Sequence, residues 1–163
     1  MIPPSVVARR ASPRKQVGVV LLIILLFVLV TTMAAGSMVE MVQTQTQREK
    51  EEQLLFVGDQ YRRAIASYYN TMPPGSVRTL PSNLEVLLSD SRFPTPIQHL
   101  RKVYEDPMTG SKEWGLVTQG GGIAGVYSQS DKSPFKTTGF APMYKAFEGK
   151  STYADWKFAV KLN

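Results

Sequence analysis

VGVVLLIILLFVLVTTMAA, residues 17–35, runs for 19 positions without a charged side chain. At the 1.5 Å rise of an α-helix it would span about 28 Å, against a bilayer hydrocarbon core of roughly 30 Å. A helix packed in a soluble core shows a polar face, and this run shows none. Directly before it stand Arg9, Arg10, Arg14 and Lys15, with no acid among them. The positive-inside rule then keeps the N-terminus cytoplasmic and sends the bulk of the chain across the membrane. A cleaved secretory signal is the competing reading, since Ala34, Ala35, Gly36 and Ser37 offer small residues to a peptidase. Its apolar region is normally about 7–15 residues long, and a mature N-terminus does not usually open on more helix. The expectation is a retained anchor over residues 16–36, behind a basic cytoplasmic leader over residues 1–15.

Working outward, no proline interrupts the chain between Arg14 and Met72. Residues 40–52, EMVQTQTQREKEE, are rich in good helix formers. Beyond them Leu54, Val57, Tyr61, Ile65 and Tyr68 recur at three- and four-residue spacing, a stripe on one helical face. One helix is therefore expected over about 16–69, lipid-compatible below and amphipathic above. Its continuation past the membrane occupies residues 37–71, and Met72-Pro73-Pro74-Gly75 ends it.

Residues 72–163 change character. Ser82 or Asn83 is placed to cap a short helix over 84–88, and a second short segment is expected over 97–103. Asp106-Pro107-Met108-Thr109-Gly110 is a turn signal. Three strand candidates follow, at 114–117, at 123–128 after the Gly120-Gly121-Gly122 turn, and at 153–162. In the last, Trp156, Phe158 and Val160 alternate with Lys157, Ala159 and Lys161, the period of a half-buried strand. The fold class expected is α+β: a long N-terminal helix packed on a small antiparallel sheet. Leu54, Val57, Tyr61, Ile65, Tyr68, Trp114, Trp156 and Phe158 are expected at the helix–sheet contact.

The net charge of +6 invites a nucleic-acid reading. Four of the 19 basic residues belong to the leader, however, which leaves 15 against 13 acids. Phosphate binding needs concentrated Lys and Arg, so no nucleic-acid partner is expected. The chain has no cysteine and a single histidine, His99. Disulfides, thiolate metal sites and thiol nucleophiles are excluded, and His99, without a visible acid partner, reads as a surface or loop histidine. Gly120-Gly121-Gly122 is followed by no Gly-Lys-Ser/Thr, so it is a turn and not a phosphate loop. No nucleophile–base pattern is visible, and the chain is not expected to be an enzyme.

The order of these features resembles the pseudopilins of type II secretion and the related type IV pilins, most closely the major pseudopilin. Asp106-Pro107 followed by Trp114-Gly115 resembles that family's turn into its first strand. Gly125-Val126-Tyr127-Ser128 followed by Asp131 is similar to its central strand and acidic loop, and Tyr153-Ala154-Asp155-Trp156 to its final strand. Residues 56–65, FVGDQYRRAI, also look pseudopilin-like. The resemblance implies a structural subunit of a type II secretion or type IV pilus-related assembly, acting in protein secretion or pilus function. Its partners would be other pilin-like subunits, an inner-membrane assembly platform and membrane lipid. The location implied is the bacterial inner membrane, single-pass, with the C-terminal domain periplasmic.

The prepilin cleavage motif is degenerate. The family usually carries Gly-Phe-Thr-Leu-x-Glu; here Val19 and Val20 follow Gly18, and Ile23 stands where the glutamate would be. Processing between Gly18 and Val19 would leave the apolar run attached. A carboxylate in lipid is best relieved by a neighbour's amine, and without it a minor or accessory subunit is the role implied. Some major pseudopilins bind calcium through C-terminal loops. Ser130, Asp131 and Asp155 are the oxygen donors here, though Lys132 and Lys136 stand nearby, and solvated loop aspartates are the simpler account. The alternative function is a membrane-anchored periplasmic module that binds a ligand, a secreted substrate or DNA.

Overall fold

A computed structural model describes the backbone of residues 14–162, with side chains described over 18–31 and 44–162. The leader lies almost wholly outside the described residues. The chain forms two compact units, Met1–Thr44 and Gln45–Asn163. Helix α1, Arg14–Asn70, supplies the described part of the first and enters the second. Thr71 N–H still reaches Ser67 O at 2.9 Å, and Pro73 and Pro74, which cannot continue the ladder, follow at once.

In the first unit every described side chain of the apolar run is exposed, from Val28 at 52 % to Leu25 at 71 %. The expected span over 16–36 falls partly outside the residues whose side chains are described. Among the described residues no helix is long and apolar enough to cross a membrane.

The second unit is α+β. Strands β1 (Gly115–Gln119), β2 (Gly122–Tyr127) and β3 (Phe158–Ala159) form an antiparallel sheet in the order β1-β2-β3. Gly120 and Gly121 turn β1 into β2 with φ of 57° and 82°. Two consecutive positive φ values are what a tight hairpin needs, and glycine adopts them without strain. Gly122, the third glycine, already belongs to β2 and is buried against Leu80. The register shifts after Val117, so that β2 bulges at Ala124, whose carbonyl is free to accept from Val160 N–H at 2.9 Å.

The core lies between this sheet and one face of α1. Leu54, Val57, Tyr61, Ile65 and Tyr68 are buried, as are Trp114, Trp156 and Phe158. Gly58 completes the helical face: a Cβ there would lie less than 3.0 Å from the Phe158 ring. Phe158 thus packs directly on helix backbone. Trp114 crosses Tyr61 with centroids 5.2 Å apart, and Trp156 stacks on Phe147 at 5.5 Å and 2°. Trp156 Nε1 is the one buried side-chain donor left without a partner among the described residues.

Three expectations from the sequence need correction. The final strand is two residues long, not ten. Tyr153–Asp155 is a 3₁₀ turn, closed by Trp156 N–H to Tyr153 O at 3.0 Å, because Tyr153 is drawn onto α1 by hydrogen bonds that a straight strand would break. The segment over 84–88 is a 3₁₀ turn, Glu85–Leu87, with Asn83 Oδ1 accepting from Val86 N–H. No helix forms over 97–103. Ile97 instead bridges Asp90, and Leu100 N–H reaches back to Leu87 O at 2.8 Å.

Candidate functional site

Most of the second unit is loop, and four carboxylates fasten it, three of them to the helix. Glu51 is 4 % exposed and accepts from the backbone N–H groups of Phe135 (2.6 Å) and Lys136 (3.2 Å) and from the Tyr153 hydroxyl (2.8 Å). Gln47, one turn earlier, also donates to Tyr153 Oη at 2.9 Å. Burial, reinforced by Glu51, pushes Tyr153 up to about 12 against the opposing effect of Gln47. These bonds are the reason a polar pair sits on the packed side of α1. They satisfy loop N–H groups that no strand partner reaches.

Two turns on, Asp59 binds Arg62 at 2.7 Å, Arg63 at 2.5 Å and the Tyr144 hydroxyl. Burial raises the Asp59 carboxyl, but the Tyr144 and Arg62 hydrogen bonds and both guanidinium charges leave it below the ordinary carboxylate range. Tyr144 itself is pushed up to about 12, first by burial and then by the adjacent carboxylate. Asp106 is fully buried and accepts from Met108 N–H (2.9 Å), Thr109 Oγ1 (3.1 Å) and Ser128 Oγ (2.7 Å), fastening the turn before β1 to the end of β2.

The fourth cluster was not legible in the sequence. His99 lies on a loop, one half of the expectation, but not at the surface: its side chain is 1 % exposed, with Nδ1 2.8 Å from Ser67 Oγ and Nε2 3.2 Å from Asp90 Oδ2. Its two partners are 32 and 9 residues away, so no spacing rule finds them. A Ser–His–Asp chain has the order of a hydrolytic triad, and its surroundings decide against that use. Arg92 already holds both Asp90 oxygens, and through Nη2 it donates to Tyr68 O and Thr71 O at 2.9 Å each. Ser67 stands in the last turn of α1, where the macrodipole is negative and would oppose an oxyanion. The cation at that end is Arg92, with its guanidinium 3.6 Å from the Tyr68 ring centroid. The cluster is a helix C-terminal cap that carries the 84–100 loop with it.

The loops around Ser130, Asp131 and Asp155 are neighbours, since Ala154 N–H donates to Ser130 O at 3.2 Å and Tyr153 N–H to Lys132 O at 3.2 Å. Ser130 Oγ accepts from Lys132 N–H and Asp155 Oδ2 from Thr152 Oγ1, while Asp131 and Asp155 are exposed. These donors fall short of the 6–8 oxygens that calcium normally takes. Among the described residues no group of three or more His, Asp or Glu could hold a metal ion. Gly18 and Val19 lie within α1, Val19 at 60 % exposure, while the side chains of Lys15, Gln16 and Val17 lie outside the described residues.

A cleft of about 260 Å³ opens beside Glu51, and one of about 460 Å³ lies between Tyr69, Arg78 and the Gly120–Gly122 hairpin. No family model, curated protein or solved structure matches the chain.

Proposed function

We propose that this protein is a pilin-like structural subunit of a type II secretion or type IV pilus-related assembly, anchored in the bacterial inner membrane with its α+β unit in the periplasm. The observation that supports this reading is the division of labour along α1. Its described apolar positions, 18–31, are all exposed, and the stripe from Leu54 to Tyr68 is buried against the sheet. Twelve large apolar side chains between Val19 and Val30 exceed half exposure, far more than the scattered apolar residues of an ordinary protein surface. Such a surface calls for lipid or the equivalent helices of other subunits, which are the partners the proposal names. The second unit offers a folded coat for that assembly.

Cross-linking in cells followed by pull-down tests the reading. Recovery of other pilin-like subunits or of an inner-membrane assembly platform is the expected result. Recovery of neither, together with normal secretion and piliation in a deletion strain, would overturn it.

A further inference from the structure

The cleft beside Glu51 is lined by Arg48, Glu51, Glu52, Leu55, Phe135 and Lys136. Glu51 sits in its wall at 4 % exposure, and all of its hydrogen bonds fall on one oxygen, Oε1. Among the described residues Oε2 accepts none. It is also not among the sealed, unpartnered side-chain atoms, of which Trp156 Nε1 is the only described case, and Glu51 lines the cleft. A carboxylate with free lone pairs in the wall of a cleft is matched best by a cationic N–H donor.

The rest of the lining decides what kind of donor fits. Among the described residues Arg48, Glu52 and Lys136 form no ion pair with one another or with Glu51. Lys136 rests instead 5.3 Å over the Phe140 ring. One small cleft therefore presents two acids and two bases, with Leu55 and the half-exposed Phe135 as apolar wall. A bare cation would meet Arg48 and Lys136, and a bare anion would meet Glu51 and Glu52. A ligand with both signs satisfies all four.

We propose that this cleft binds a small zwitterion of amino-acid size, its ammonium group at Glu51 Oε2 and its carboxylate toward Arg48 and Lys136, with an aliphatic stem along Leu55 and Phe135. Glu51 also fastens Phe135, Lys136 and Tyr153 to α1, so the ligand sits on the seam between helix and C-terminal loops. Binding there stabilises the folded unit in proportion to ligand occupancy.

The test uses the full chain in detergent micelles, titrated calorimetrically with 6-aminohexanoate, n-butylamine and butyrate, with thermal unfolding followed in parallel. The zwitterion is expected to bind and to raise Tm, and each single-charge probe to bind at least about tenfold more weakly. Glu51→Gln keeps an acceptor oxygen for the two N–H groups and Tyr153 but removes the charge; affinity should fall about tenfold or more. Arg48→Ala changes only an exposed side chain, so it keeps the test valid if Glu51→Gln unfolds, and it too should weaken binding. No binding of 6-aminohexanoate, equal binding of n-butylamine, or wild-type affinity in Arg48→Ala overturns the proposal.

Discussion

Asp90 is 1 % exposed and shares its carboxylate among Arg92 Nε and Nη2, Arg92 N–H and His99 Nε2. The Arg92 hydrogen bonds outweigh burial and hold it at about 2, against an ordinary value of 3.8. Because the folded value lies below the unfolded one, its contribution is complete above about pH 4 and fades as pH falls toward 2. The difference corresponds to roughly 2 kcal/mol. Denaturant unfolding between pH 2 and 5 should therefore show a steeper loss of stability in the wild type than in Asp90→Asn, with a residual slope from Asp59, whose carboxyl is also lowered. An unchanged slope in the variant would mean that Asp90 titrates alike in both states.

Among the elements, α1 carries a glycine where helix propensity argues against one. Replacing Gly58 by alanine should gain about 1 kcal/mol of intrinsic helix preference. The added methyl, however, meets the ring of Phe158, which is fully buried and crossed by Tyr144 and Phe147 with centroids 5.6 and 5.1 Å away. Overpacking of this kind costs roughly 1–3 kcal/mol. Gly58→Ala is expected to lower stability by up to about 2 kcal/mol, the net of those opposing contributions, read from the denaturation midpoint at constant m. A stabilised variant would show that β3 can move away from the helix without loss. The shortness of β3 makes this contact matter: with only Phe158–Ala159 paired, side-chain packing on α1 carries most of what holds the strand.

At the scale of the molecule, every residue of the hydrophobic core falls between Leu54 and Phe158, and the Glu51 and Gln47 hydrogen bonds add the turns just before it. The exposed apolar positions 18–31 belong to the other unit. A fragment over 45–163 is therefore expected to fold alone. It should unfold in a single cooperative transition and keep its near-UV aromatic signal, while the full chain needs detergent to stay dispersed. Circular dichroism and light scattering on the two proteins check both halves of that statement. A fragment without a cooperative transition would show that the folded unit depends on the first part of α1.

Local pattern was enough for the long helix, its proline-marked end, the hairpin and the α+β class. Each of these follows from periodicity, from the absence or presence of proline and glycine, and from short-range turn chemistry. Leu54, Val57, Tyr61, Ile65 and Tyr68 could be read as one buried face because helical spacing is a property of consecutive residues. The polar clasps could not. Glu51 meets Tyr153 across 102 residues, Ser128 meets Asp106 across 22, and Ser67 meets His99 across 32. Hydrogen bonds between such distant groups leave no period in the sequence, and a buried carboxylate reads there like a solvated one. The same cause truncated the last strand. The alternation of Trp156, Phe158 and Val160 describes which side chains turn inward, while the pull of Glu51 and Gln47 on Tyr153 decides that the backbone beside them curls into a 3₁₀ turn.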